Sequence, residues 1–159
     1  KTAYEISLGL VGSEMCIRDR ILGVLTADCA PILLADQKNF VVGVVHAGWR
    51  GTAAGAAIAA VESLQRNFSS NPSDLIVAIG PCIGPCWYEV GMDVVNVFQA
   101  QQHLYPNVNQ WFHKTRPLNT SKQLFSLDLV TANCDQLVLA GVPKNQGWWS
   151  GLWQCSRTT

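Results

Sequence analysis

Apolar residues along the chain follow two different spacings. Short continuous runs, rich in β-branched residues and bounded by turn residues, predict buried strands. They cover residues 21–27, 31–35, 40–46 and 75–79, and residues 144–150 fit a last strand. Residues 71–73 predict a turn, and residues 80–85 predict an irregular turn because two prolines lack a backbone donor.

Helical spacing appears in three places between these runs. Apolar residues recur every three to four positions over residues 51–68, with Thr52 as a candidate cap, and helices are also predicted over 92–101 and 129–140. Gly141 ends the last of them. Residues 102–122 are polar and predict a loop, with His103 and His113 in solvent. Strands that alternate with helices indicate a layered α/β domain.

The two ends of the chain do not follow this pattern. Residues 7–20 resemble translated sequencing-adapter text, so residues 1–20 are predicted to be a non-native segment. The organised domain is expected over residues 21–150, incomplete at its N-terminal side. Residues 151–159 are expected to be an aberrant tail.

Composition narrows the class of protein. Only 14% of the 159 residues are charged, against about 25% in an average domain, so much of the chain should be buried or packed against a partner. Eleven basic residues balance eleven acidic ones, which gives no electrostatic reason to expect nucleic acid or an anionic membrane. Six cysteines without a three-part export signal favour metal-binding or catalytic thiols over disulfides, and a cytoplasmic protein.

Cys29 and His46 are the first candidate site residues. Each lies at the end of a predicted strand, where α/β proteins place reactive groups. A thiolate and an imidazole suit zinc or copper, although a catalytic zinc site has three protein ligands. The alternative is a cysteine buried as a small apolar residue and a histidine that makes a core hydrogen bond.

A second candidate site follows directly. Residues 48–52, Gly-Trp-Arg-Gly-Thr, precede the alanine-rich helix. Free N–H groups, glycines and the Arg50 guanidinium would suit a phosphate or another anion. A tight strand-to-helix turn with Arg50 in solvent explains the same residues equally well.

The remaining candidate residues are predicted to have structural roles and not catalytic ones. Cys82 and Cys86 lack the two-residue gap of zinc knuckles, which favours a structural loop that lines the pocket over metal ligation. Asp128 precedes the last helix and is expected to cap it.

Four motifs together resemble one family. TADCAPILLAD, VVHAGWRGTAAG, IGPCIGPCWYEVG and LDLVTANCDQLVLAGV occur in the order seen in the laccase-domain, or polyphenol oxidase (YfiH-like), family. The resemblance implies a single-domain, layered α/β/α sandwich with a mixed sheet. It also implies zinc or copper held by two histidines and a cysteine. Cys29 matches that cysteine and His46 the second histidine, whereas the motif of the first histidine is absent here.

The resemblance also implies an activity. Family members carry out phosphorolysis of adenosine, inosine and methylthioadenosine, and deaminate adenosine. Their likeness makes Cys29 and His46 expected catalytic residues, and Asp28 is added because it is close enough in sequence to orient a ligand or act as acid or base. The chemistry of the turn makes Arg50, Gly51 and Thr52 the expected phosphate site. The partners would be purine nucleosides and phosphate, without nucleic acid or membrane, in a possible homodimer.

Three other interpretations of the function stay open at this point. In one, Cys29 is the nucleophile and His46 the base of a metal-free thiol hydrolase or deamidase. In another, the protein is a copper polyphenol oxidase. In the third, this chain is inactive by itself, because one metal ligand of the family pattern is missing.

Overall fold

A five-stranded mixed sheet forms one part of the computed structural model, which describes residues 13–17, 22–114 and 124–149. Its strands lie in the order β1-β3-β2-β4-β8. All neighbours pair antiparallel except β4 and β8, which are parallel. The strands are β1 (Ser13–Ile17), β2 (Ala30–Asp36), β3 (Val41–Ala47), β4 (Leu75–Ile79) and β8 (Gly147–Trp149).

A smaller antiparallel sheet and four helices complete the described fold. The second sheet has the order β5-β7-β6, from β5 (Glu89–Val90), β6 (Phe112–Lys114) and β7 (Phe125–Leu127). The helices are α1 (Trp49–Ala53), α2 (Ala56–Phe68), α3 (Met92–Gln99) and α4 (Leu129–Leu139). No described helix has the length and apolar character needed to cross a bilayer.

One face of the large sheet packs into the core. In β2 the buried residues alternate with more exposed ones, and Ile32 faces Val45 across the β2–β3 pair. Because side chains alternate between the two faces of a strand, this register puts the buried members of β2 on the same face as Val41, Val45 and Ala47 of β3. Buried residues of α2, including Val61 and Leu64, belong to the same core. The predicted α/β class and mixed sheet are confirmed.

The opposite face of the sheet is apolar and open to solvent. A groove of about 430 Å³ runs across it, lined by Leu22, Leu33, Leu34, Ala35, Val42, Gly43, Val44, Ile76 and Ala78. Leu33 is 51% exposed and Val42 47% exposed. Apolar patches of this kind promote association.

Self-association of the chain should therefore depend on this groove. Val42→Lys places a charge on the open face, and we expect it to lower the apparent mass measured by light scattering. Val97→Lys is the matched control, because Val97 is similarly exposed on α3 but lies outside the groove. An equal loss of association in both variants would show that added charge, and not the groove, controls it.

The strand predicted over residues 21–27 is wrong for its described part. Residues 22–29 form no strand, and Leu25 is 95% exposed; Ile21 lies outside the described residues. The physical reason is that β3 is already flanked by β2 and β1, and β2 by β3 and β4, so neither strand offers a free edge to this apolar run.

The single helix predicted over residues 51–68 is also wrong. It is divided into α1 and α2 at Gly55, whose φ of +75° is left-handed and favours glycine. Thr52 does not cap a helix, because Gly48 is the N-cap of α1 and Gly55 that of α2. The predicted helices at 92–101 and 129–140 are confirmed within one or two residues, as is the positive φ of Gly141.

The loop predicted over residues 102–122 is only partly correct. A 3-10 turn at Val108–Trp111 leads into strand β6, and residues 115–122 of the predicted loop lie outside the described part of the chain. His103 and His113 are both exposed, as predicted.

Candidate active site

Cys29 and His46 lie at the same end of the large sheet. The β2–β3 register pairs Pro31 with His46 and Ala30 with Ala47. Continued by one residue, it places Cys29 opposite Gly48. Since side chains alternate between faces, Cys29, Pro31 and His46 belong to the open face of the sheet. The two predicted ligands therefore lie towards the same face, His46 within β3 and Cys29 directly before β2.

Gly48 leaves the space that the Cys29 sulfur occupies. A Cβ atom at position 48 would lie only 2.7 Å from Cys29 Sγ, closer than real Cβ contacts allow. The thiol therefore packs against the bare backbone that follows His46. Sequence reasoning assigned the glycine to an anion-binding turn and missed this role, because the contact joins residues 19 positions apart in the chain.

The protein surroundings keep the Cys29 thiol protonated. Burial raises its pKa above the ordinary 9.0, and the nearby Asp28 carboxylate raises it further. A nucleophilic cysteine requires the opposite shift, towards the thiolate. A bound cation would reverse this effect, because metal coordination deprotonates a thiol.

Tyr88 belongs to the same site. Burial raises its pKa to about 12, and the Cys29 and Asp28 charges add to the shift while Arg50 opposes it. The sequence analysis missed Tyr88 as a site residue; its position two residues after the Pro-Cys pair of the irregular loop was the available signal.

Arg50 is the exposed cation of the site. Its guanidinium carbon lies 4.3 Å from the centre of the Trp49 ring, and this stacking restricts the side chain without removing it from solvent. A stacked, exposed guanidinium retains its donors for an oxygen anion. Both the tight-turn and the anion-site interpretation are therefore compatible with its placement.

Thr52 is a structural anchor within α1. Its N–H donates to the Gly48 carbonyl at 2.8 Å. Its side-chain Oγ1 accepts from Asn133 Nδ2 at 3.0 Å, and its carbonyl accepts from Gln136 Nε2 at 2.6 Å. Because Thr52 is fully buried and its amide is occupied, anion binding in this segment depends on Arg50 and Gly51.

The irregular loop after β4 closes the end of the sheet. Gly80 N–H donates to the Pro31 carbonyl, and Ile83 N–H donates to the Asp28 carbonyl, both at 2.9 Å. The Ser126 hydroxyl donates to the Pro85 carbonyl. Cys82 in this loop is buried, and Cys86 is disulfide-bonded. The disulfide departs from the expectation of unpaired thiols.

Asp128 caps α4, as predicted. Its carboxylate accepts from Thr131 N–H at 2.9 Å and from the Thr131 hydroxyl at 2.8 Å. We expect Asp128→Ala to lower the free energy of unfolding by about 1 kcal/mol, measured by urea denaturation. Asp128→Asn keeps an acceptor oxygen and should cost less; an equal loss in both variants would show that charge, and not capping, is the contribution of Asp128.

The donor chemistry fits part of a zinc or copper site. A thiol and an imidazole on one face are ligands that both metals accept. In the portion of the chain that the structure describes, no three His, Cys, Asp or Glu residues are arranged to hold a metal ion together. Cys29 and His46 therefore supply two ligands of an incomplete set.

The mixed sheet and the helices packed against it define an α/β protein, with a cysteine and a histidine at one end of the large sheet. The chain belongs to the family described as multi-copper polyphenol oxidoreductase laccase, whose model matches residues 15–158. The family resemblance seen in the four sequence motifs is thereby confirmed.

Two curated relatives carry enzyme names. A protein of Geobacillus stearothermophilus named purine nucleoside phosphorylase YlmD is 41% identical over 79% of this chain and 43% of its own length. A protein of an unknown prokaryotic organism named adenosine deaminase RL5 is 39% identical over 77% of this chain and 44% of its own. The chain thus spans less than half the length of the curated relatives that it matches.

Solved structures agree with this assignment. The crystal structure of YlmD from Geobacillus stearothermophilus superimposes with a TM-score of 0.70 and 40% identity, covering 79% of this chain and 44% of that one. The Bacillus licheniformis hypothetical protein YfiH gives a TM-score of 0.71 and 34% identity, covering 80% and 45%.

Proposed function

We propose that this chain is part of a metal-dependent purine nucleoside phosphorylase that also deaminates adenosine. The substrates would be adenosine, inosine and S-methyl-5'-thioadenosine, with phosphate as the second substrate. The names of the two curated relatives support these reactions. The observation that carries the proposal is the position of Cys29 and His46 at one end of the sheet, where the Cys29 sulfur packs against Gly48, two residues after His46.

The proposed roles follow from the chemistry of each group. Cys29 and His46 would hold zinc or copper, and the third ligand would be the first histidine of the family pattern, whose motif this chain lacks. The metal, when bound, supplies a Lewis acid and lowers the pKa of coordinated water. Arg50, together with Gly51, would bind phosphate, and Thr52 would fix the backbone that carries them.

Two further groups line the same site. Asp28 is exposed and would orient a ligand or exchange a proton with the substrate. Tyr88 remains a protonated donor at neutral pH, since its pKa is raised to about 12, and it would donate a hydrogen bond to the nucleoside. A leaving purine needs such a proton or hydrogen-bond donor, because the free base anion is a poor leaving group.

The raised pKa of Cys29 favours the metal site over a metal-free thiol hydrolase. Asp28 and burial both oppose formation of the thiolate, whereas an activated cysteine needs a cationic neighbour or a helix N-terminus. Cytoplasmic location remains a prediction from the cysteines and the export-signal pattern of the sequence, and dimer formation remains a prediction as well.

Zinc binding and phosphate-dependent release of adenine test the proposal. We expect the 159-residue chain to bind zinc weakly and to turn over adenosine far more slowly than the Geobacillus relative, because its ligand set is incomplete. Cys29→Ser should abolish zinc binding and zinc-dependent turnover. Cys134→Ser is the matched control, since Cys134 is also an unpaired, partly buried cysteine but lies on α4.

Phosphate binding is tested separately. Arg50→Ala should raise the phosphate concentration needed for half-maximal turnover, whereas Arg66→Ala, an exposed arginine on α2, should not. Full activity in a metal-free preparation that is lost on alkylation of Cys29 would contradict the metal site and support the thiol hydrolase. Turnover equal to that of the Geobacillus relative would contradict the incomplete ligand set.

A further inference from the structure

We propose that Asn133 and Gln136 of α4 are positioning residues, whose side-chain amides hold the short helix α1 against α4. Through α1 they fix the Gly48 backbone beside Cys29 and the point from which the Arg50 side chain extends. That this position serves phosphate binding rests on the proposed function, whereas the hold on Gly48 and Cys29 does not.

Helix α1 depends on other elements for its position. It has five residues, and its N-cap Gly48 makes no side-chain capping bond. Helices this short are not stable by themselves, because nucleation costs more than a single turn of hydrogen bonds returns. The contacts that α1 makes with neighbouring elements therefore decide where its residues lie.

Both amides donate to the same residue of α1. Asn133 Nδ2 donates to Thr52 Oγ1 at 3.0 Å, and Gln136 Nε2 donates to the Thr52 carbonyl at 2.6 Å. All three residues are 0% exposed, so water does not compete for these bonds. Two bonds that reach different atoms of one residue restrict both its position and its rotation.

The acceptors determine the orientation of both amides. Asn133 Nδ2 also donates to the Leu129 carbonyl at 2.7 Å, and backbone carbonyls only accept hydrogen bonds. The amide nitrogens must therefore face Leu129 and Thr52. This orientation leaves Asn133 Oδ1 and Gln136 Oε1 buried and without a partner among the described residues.

Two unpartnered buried oxygens are a cost that stability alone does not explain. A buried polar atom without a partner loses its hydration without compensation, and apolar side chains of similar size would avoid this loss. The Thr52 carbonyl would keep the N–H of Gly55, at 3.0 Å, in either case. Apolar side chains would lack the directional bonds to Thr52, so the amides contribute position more than stability.

The hold on Thr52 reaches the site through the backbone of α1. Thr52 N–H donates to the Gly48 carbonyl at 2.8 Å, and the Cys29 sulfur packs against Gly48. In the same turn, Ala54 N–H donates to the Arg50 carbonyl at 2.9 Å. A shift of Thr52 therefore moves both the backbone that covers the Cys29 thiol and the origin of the Arg50 side chain.

The rate of Cys29 alkylation by iodoacetamide, followed by peptide mapping of the 159-residue chain, tests the hold on Gly48. Gln136→Met and Asn133→Leu remove the two donors at similar side-chain size. We expect each to raise the rate several-fold, because Gly48 no longer stays packed on the sulfur. Leu137→Ala is the matched control, since Leu137 is a fully buried residue of α4 with an apolar side chain. It should lower the free energy of unfolding more than either amide variant and leave the alkylation rate unchanged.

A double-mutant cycle tests whether Asn133 acts through Thr52. Thr52→Val removes the side-chain acceptor, and Asn133→Leu removes its donor. Because both substitutions remove the same bond, their effects on the alkylation rate should not add. Additive effects, or an equal acceleration in Leu137→Ala, would overturn the proposal, as would a wild-type rate in both amide variants.

Titration with inorganic phosphate separates this inference from the proposed function. Gln136→Met should raise the dissociation constant for phosphate several-fold, in the same direction as Arg50→Ala. If the wild type binds no phosphate but both amide variants accelerate alkylation, the hold on α1 stands and the phosphate site fails. If phosphate binding requires Arg50 and neither amide variant changes it or the alkylation rate, the phosphate site stands and the positioning role is rejected.

Discussion

Gly48→Ala is expected to weaken zinc binding by about 10–100-fold, comparable to the loss of a residue that orients a metal ligand. The added methyl group would lie 2.7 Å from Cys29 Sγ. Gly48 has an extended backbone with φ of −76°, so alanine fits the backbone and the effect reports on the sulfur alone. Isothermal titration with zinc measures the change directly.

Gly43→Ala is the matched control for this substitution. Gly43 lies in β3, the strand that ends one residue before Gly48, and a Cβ atom there would meet Leu34 Cδ1 at 3.6 Å, an ordinary contact. Zinc affinity should therefore stay close to that of the wild type. An equal loss of affinity in both alanine variants would mean that β3 tolerates no added methyl group, and Gly48 would then have no special relation to Cys29.

Trp111→Ala is expected to lower the free energy of unfolding by about 3–5 kcal/mol. Trp111 is fully buried, and its ring centre lies 6.0 Å from that of Phe98 and 5.4 Å from that of Tyr105. Its Nε1–H donates to the Asp135 carboxylate at 2.8 Å. The substitution removes these contacts and leaves a cavity between α3, α4 and the small sheet. Chemical denaturation monitored by circular dichroism measures the loss.

Trp87→Ala controls for the loss of a tryptophan. Because Trp87 is 59% exposed, its replacement should lower the free energy of unfolding only slightly. Trp111→Phe separates packing from hydrogen bonding, since it keeps an aromatic ring but removes the donor to Asp135. We expect the free energy of unfolding of Trp111→Phe to lie between those of the wild type and Trp111→Ala. A cost for Trp87→Ala as large as that for Trp111→Ala would indicate that the stability of this chain does not depend on the aromatic cluster.

Local pattern was sufficient for much of the fold. Strand β4 and helix α4 were predicted almost to the residue, because each is bounded by residues with strong turn or cap chemistry, such as Pro72, Asp128 and Gly141. The cap of α4 lies within three residues of its partner amide. Interactions of such short range leave a direct trace in the sequence.

Elements that depend on distant pairing were missed. Strands β5 and β7 contain two and three residues and form only because they pair with each other and with β6. The apolar run at residues 22–27 has strand composition, but β2, which follows it in the chain, already has a partner strand on each side. Composition reports the preference of a segment, whereas the neighbours available to it decide whether a strand forms.

For the candidate site, too, some features follow from the sequence and others only from the tertiary structure. The sequence by itself determined the ligand types, Cys29 and His46, and the family to which the chain belongs, because residue identity and motif order are properties of the chain alone. Only the tertiary structure decided that both residues lie at one end of the sheet, that Gly48 makes room for the thiol, and that Thr52 is an anchor. The physical reason is that strand register and loop closure join residues far apart in sequence, and no local pattern records which of them will meet.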